Sequence, residues 1–505
     1  MEMTTRKILL ILCILIAPVA GENSPQSGGG QSAPYLDGDA DTTSERSIFS
    51  SQKIDDICFF PNSPKSSPDS TKIAYLLGND VGYLYYIIAG PEGKTTETAY
   101  ESIRPDSFVF SPDGKHHGYK AYKGGNWVAV IDGSEGKEYD EIWWIFFSQD
   151  GERYAYRAKK DGQEIVVVDG IEEGPYKGSS DPIISSAGQH VLYTMAEESL
   201  GPYRDNVVVN GVVQELKGVD PVVSPEGSRW GYYIGSVYRG RTGYIVLDGE
   251  AIALEKEKTN RIDQMVFSPN GSRFAYNLVP DGGAYGDHVV VVDGIPGRRY
   301  SEPGVGNIVF SPDESTVAYW AKADDGGFMM VVDGEEGKVY DVLKIGDPVI
   351  SQDGSHVAYV VDSNDGAFVV LDGEEGKKYQ SIWGLTFSPD GRLAYVASDA
   401  REEGFVHLVV VDGKEDQTYQ SQLYGQGIKS GPSFSPDGGH IAYIAKDGDG
   451  DEFVVVDSKG YINPWTSLEQ NLVWDSEEEF HYIGQNNCEG QTPGVYLVTV
   501  TTPLR

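Results

Sequence analysis

Cysteine is nearly absent, at three residues in 505. With Cys13 inside the N-terminal apolar run, at most one disulfide can form in the remainder. Basic residues are scarce too: 40 Lys and Arg stand against 77 Asp and Glu, for a formal net charge of −37. Phosphate backbones are bound by Lys and Arg that displace counterions, so no nucleic-acid partner is expected. Beyond the first twenty-odd residues no run approaches eighteen apolar residues, so no transmembrane helix is expected in the mature chain. No window of a dozen residues keeps a helical period. No Gly-x-Ser-x-Gly elbow occurs, which removes the nucleophile turn of an α/β-hydrolase. What is present is apolar and aromatic: 39% hydrophobic and 11% aromatic residues, with 32 tyrosines. That is enough for a large core and excludes wholesale disorder.

The N-terminus reads as a targeting segment. Arg6 and Lys7 form a short basic stretch, Ile8 to Ala17 is apolar but short for a membrane span, and Ala20 and Gly21 are small. Residues 1–21 are therefore expected to be a secretory signal peptide, and residues 22–45, rich in Ser, Gly and Pro, a disordered linker. The expected location is secreted, periplasmic or elsewhere in the cell envelope. In such an oxidising compartment a Cys58–Cys488 disulfide would hold the two ends of the mature chain together; two separate buried thiols are the alternative.

Length alone suggests about three domains at roughly 150 residues each. A repeat from residue 46 to the C-terminus replaces that estimate. A Ser-Pro-Asp-Gly-like turn recurs, with Tyr eight residues after the Ser, usually within Ala-Tyr. Clear copies start at Ser111, Ser148, Ser268 and Ser435, and weaker ones at Ser67, Ser185, Ser224, Ser311, Ser351 and Ser388. A degenerate eleventh copy runs from Trp474 to Tyr482. Each period also carries a β-branched run closing on Asp-Gly, as in Val166-Val-Val-Asp-Gly, and a short polar segment with a Tyr, as in Lys137-Glu-Tyr-Asp. Val and Ile suit a pleated surface, and Asp-Gly suits a two-residue hairpin turn. Four antiparallel strands in about 40 residues, repeated, describe an all-β propeller of about eleven four-stranded blades.

These motifs resemble the WD40-like propeller repeats of bacterial envelope proteins of the TolB type. The resemblance spans nearly everything from about residue 46 to 502 and implies protein partners. The last repeat supplies three strands, and Ser47-Ile-Phe-Ser before the first repeat could supply the fourth. Because propellers usually have four to eight blades, two tandem rings are favoured over one large ring.

Two positions per repeat invite a functional reading. The residue four before the anchor Ser enters the innermost strand near the channel mouth: Ser107, Trp144, Asp181, Asp220, Gln264, Asn307, Asp347, Gly384 and Gly431, with Trp143, Asp263 and Trp383 preceding three of them. Trp143, Trp144 and Trp383 could stack on a sugar or grip a peptide side chain, and Asp181, Asp220, Asp263 and Asp347 could hold a cation or basic group. The competing explanation is turn chemistry for Asp-Pro and gap filling for Trp. A basic residue after each turn (Lys72, His116, Arg153, His190, Arg229, Arg273, His356, Arg392, His440) lies in a different blade each time, so the histidines cannot share one ion. Pairing with the acidic turn residue, as Arg153 with Asp150, is expected instead.

For metals, Asp447, Asp449 and Asp451 alternate in a hairpin tip, a spacing able to wrap calcium with oxygens, and Asp37-Gly-Asp-Ala-Asp repeats it. Neither completes an EF-hand loop, and solvated acidic turns are the alternative. No cofactor is expected beyond this calcium. The leading expectation is a non-catalytic scaffold that binds a protein, peptide or glycan. The runner-up is a glycan hydrolase or lyase using the channel-mouth aspartates, which would then converge on one pocket. A structural surface protein, stabilised by calcium, is the third reading.

Overall fold

The computed structural model describes residues 48–55, 65–79, 81–196, 206–234, 243–254, 260–280, 288–301, 304–342, 344–401, 404–421, 427–446, 452–461, 465–468, 472–486 and 495–501. The expected signal peptide and linker, Cys58, Cys488, Asp37–Asp41, Asp447, Asp449 and Asp451 all lie outside the described residues. Among the described residues there are eleven antiparallel sheets, and no helix is long and apolar enough to cross a membrane.

Sheet three shows how one repeat folds. Its strands, Glu141–Phe147, Tyr154–Lys160, Gln163–Val168 and Ile171–Tyr176, pair in sequence order. The first turn is built by its Ser. In sheet two, Ser111 Oγ donates to Asp113 Oδ1 at 2.5 Å and accepts from His116 N at 2.9 Å. Ser148 does the same with Asp150 (2.6 Å) and Arg153 N (3.0 Å). All ten anchor serines are buried, since the hydroxyl closes the loop from inside. The second tight turn joins strands three and four: Asp169 and Gly170 have φ of 48° and 78°, left-handed values that a two-residue hairpin requires.

The β-branched run is apolar throughout because it has a neighbouring sheet on each side. Ile165 and Val167 face sheet two's Tyr139 and Ala129, whereas Val166 and Val168 face sheet four's Val191 and Tyr193. The Ala-Tyr pair divides likewise, with Tyr156 in the cluster shared with sheet two and Ala155 in that shared with sheet four. A large residue on one face and a small one on the other lets successive sheets interdigitate.

The basic residue after the turn does not pair with the turn aspartate. Arg153 Nε goes instead to Asp169, in the second turn, at 2.8 Å. Asp150 is already occupied by Ser148 and the Glu152 amide. Strand pairing brings Asp169 alongside Arg153, whose guanidinium then reaches the next sheet and donates to Gly188 O at 2.7 Å. The same strut recurs from Lys72 to Gly114 O (3.0 Å), Arg229 to Gly271 O (3.2 Å), Arg273 to Glu314 O (2.8 Å), Thr316 to Gly354 O (2.9 Å) and Arg392 to Gly438 O (3.1 Å).

The eleventh sheet takes strand Ile48–Asp55 beside Val495–Thr501, so the segment before the first repeat does supply the missing outer strand. Shared cores run from each sheet to the next. The eleventh also meets the first: Ile483 packs among Ile73, Tyr75, Ile87 and Ala89, and His481 Nε2 donates to Asp69 O at 2.6 Å.

Candidate functional site

The innermost strand of each sheet is irregular at the channel-mouth position. Its ladder slips between Ile142 and Ile145, between Val219 and Val222, between Ile262 and Gln264, and between Trp383 and Thr386. In four other sheets the strand breaks in two there, as between Ser102–Ile103 and Val109–Phe110. A bulge turns side chains out of the regular ladder, and Asp-Pro fits where no amide is required. These positions are therefore free to be polar or aromatic.

What they meet differs around the molecule. Trp143 lies under the Arg157 guanidinium, 4.1 Å from its ring centre, and Arg157 Nε holds Asp181 at 3.1 Å. Trp144 is half-exposed with Lys120 Nζ 5.2 Å from its ring. Ser107 is buried, donating to Arg104 O and accepting from Lys120 N. Asp220 is exposed at a φ of 52°. Trp383 lines a cavity of about 450 Å³ with Pro68, Ser430, Gly431 and Leu472, on sheets nine, ten, eleven and one.

Sheets six, seven and eight bring three successive mouth positions together. Gln264, Asn307 and Asp347 line a cavity of about 310 Å³ with Asp263, Asn277, His288 and Trp320. Asn307 Nδ2 donates to Asp347 Oδ2 at 2.7 Å, and Ile308 N donates to Gln264 Oε1 at 2.9 Å. Beneath them Asn277 Nδ2 contacts His288 Nδ1 at 3.1 Å, both residues being buried. The chain crosses this floor closely: a Cβ at Gly304 would overlap the His288 ring, and one at Gly306 the Trp320 indole.

Of the expected site residues, then, Asp263 and Asp347 share one cavity. Asp181 is held by Arg157 beside Trp143, and no described cavity joins Trp383 to Trp143 or Trp144, or gathers the four aspartates. Sequence reasoning missed Asn277 and Trp320. Both stand nine residues after their anchor Ser, as do Lys120 and Arg157, so a third repeating position marks the inner face. Among the described residues no group of three or more His, Cys, Asp or Glu is placed to hold a metal ion.

The fold defines the chain as a β-propeller built from repeated four-stranded sheets. No family model matches it, and no curated protein matches it. Solved structures that it resembles include a eukaryotic initiation factor (TM-score 0.40, 10% identity, covering 70% of this chain and 96% of that one). Others are TolB from Acinetobacter baumannii (TM-score 0.24, 16% identity, 46% and 65%) and the propeller domain of the trilobed protease from Pyrococcus furiosus (0.27, 15%, 57% and 96%). At such scores the likeness carries no argument about activity or partners.

Proposed function

We propose that the chain is a non-catalytic propeller of the cell envelope or the secreted fraction, serving as a scaffold that holds a protein partner at the channel mouth. The observation carrying this reading is the convergence of Gln264, Asn307 and Asp347, three equivalent positions of successive repeats, on one cavity. We also propose that the eleven sheets close into one ring rather than two. The His481–Asp69 contact and the Ile483 core support closure of the last sheet on the first. A hydrolase or lyase needs its aspartates around one pocket, and Asp181 and Asp220 lie elsewhere, so binding is preferred. A glycan remains the other ligand class of the same scaffold.

The test is capture from an envelope extract by the mature chain and by Asn307→Trp, which places a bulky side chain over the cavity. Recovery of a protein by the first and its loss with the second is the expected result. Equal recovery by both, or recovery of glycan alone, overturns the protein-partner reading.

A further inference from the structure

The cavity between sheets six, seven and eight is short of donors. Asn277, only 4% exposed, lines it, and its Oδ1 meets no hydrogen-bond donor among the described residues. A buried carbonyl oxygen left without a donor is unfavourable, which makes it a natural point for a ligand N–H. The other groups lean the same way. The carboxylates of Asp263 and Asp347 line the wall, the Asn307 amide is already used on Asp347, and neither Lys nor Arg lines the space. The Trp320 indole adds a π surface. A volume of about 310 Å³ is at the small end of ligand pockets and suits a side-chain head group. The chain's net charge of −37 draws cations toward it.

We propose that this cavity binds the guanidinium of an arginine on an extended segment of the protein partner. A planar fork of several N–H donors can serve Asn277 Oδ1 and two carboxylates together, and it stacks on an indole, which an ammonium point charge does less well. The proposal rests on the scaffold reading above and specifies the side chain recognised.

The probe is the peptide N-acetyl-Gly-Arg-Gly amide, titrated onto the full mature chain by ligand-detected NMR, beside its lysine counterpart and its neutral citrulline counterpart. The arginine peptide is expected to bind at least tenfold more tightly than citrulline. Asp263→Asn/Asp347→Asn should weaken it at least tenfold, and Asn277→Ser should weaken it several-fold. Glu152→Gln/Glu374→Gln, which removes the same charge from exposed positions, should change it less than twofold. Circular dichroism checks the fold of each variant. Equal binding of citrulline, an unchanged affinity in the Asp263/Asp347 variant, or a preference for lysine would each overturn the assignment. If the arginine peptide behaves as expected and no protein is captured by the mature chain, the scaffold reading fails and this site stands. If a protein is captured equally by the mature chain and the Asp263/Asp347 variant, the reverse holds.

Discussion

Replacing one anchor serine tests the physical basis of the repeat. In Ser111→Ala the His116 amide loses its acceptor at 2.9 Å, and Asp113 loses a donor at 2.5 Å, at a site where Ser111 has no solvent exposure. An orphaned buried amide costs about 1–3 kcal/mol, and a hydrogen bond to a carboxylate contributes about 1.5–3 kcal/mol. Water reaches Asp113 and recovers part of the second, so a loss of about 2–4 kcal/mol is expected. Burial alone would raise the Asp113 carboxyl, but hydrogen bonds from Ser111 and Lys115 outweigh it and hold the pKa at about 2. The variant should therefore raise that pKa toward the ordinary carboxylate value. Urea denaturation of the full chain gives the stability and NMR titration of the carboxyl carbon gives the pKa. The control is Ser134→Ala, at an exposed hairpin position, expected within about 0.5 kcal/mol of the parent. If Ser111→Ala is as mild as Ser134→Ala, or the Asp113 titration does not move, the anchor does not act through these bonds.

Acid should unfold the protein through its turn carboxylates. Asp353 is held at about 2 by hydrogen bonds from the Ser355 and Ser351 hydroxyls and the Ser355 amide. Its folded pKa is below its unfolded one, so its contribution is full above about pH 4 and is lost as pH falls toward 2. Tm should fall across that window, less steeply in Asp353→Asn; an identical profile in the variant would count against this. Alkali should act on the tyrosines: Tyr443 is pushed well above 10, first by burial and then by its neighbours Tyr419 and Asp416. The raised folded pKa means stability that is present below pH 10 and lost above it, so tyrosinate absorbance should appear together with unfolding; appearance before unfolding would contradict the burial. His481→Ala removes the bond to the Asp69 carbonyl. Hydrogen exchange should quicken in sheets one and eleven and stay unchanged in sheet six, whereas a uniform change would argue against local closure there. Gly306→Ala forces a Cβ into the Trp320 indole, an overpacking expected to cost about 1–3 kcal/mol and to abolish arginine-peptide binding; retained binding would show that the floor of the cavity plays no part.

Much of the fold was legible because its determinants are local. A Ser closing its own turn and an Asp-Gly with positive φ are written within six residues, and they recur often enough to count. The partner of Arg153 was not legible: Asp150 is near in sequence, but strand pairing delivers Asp169. The mouth positions were found by their spacing, yet their fates depend on neighbours supplied by other sheets. Arg157 captures Asp181, while nothing equivalent neutralises Asp263 and Asp347 from the wall of their cavity. Asn277 and Trp320 were hidden because position nine varies from Lys and Arg to Asn and Trp, and only the bulge opposite gives it a role. Ring number was hidden as well, since identical inter-sheet struts serve one ring or two, and the contact from His481 to Asp69 spans 412 residues.

The most direct test of the central claim is a hydrogen–deuterium exchange footprint of the mature chain with its captured partner. The account predicts protection at residues 263–264, 305–307 and 347, around the cavity shared by sheets six, seven and eight. Protection confined to the outer strands, such as Ile171–Tyr176 and Ile295–Tyr300, with the mouth unchanged, would contradict it.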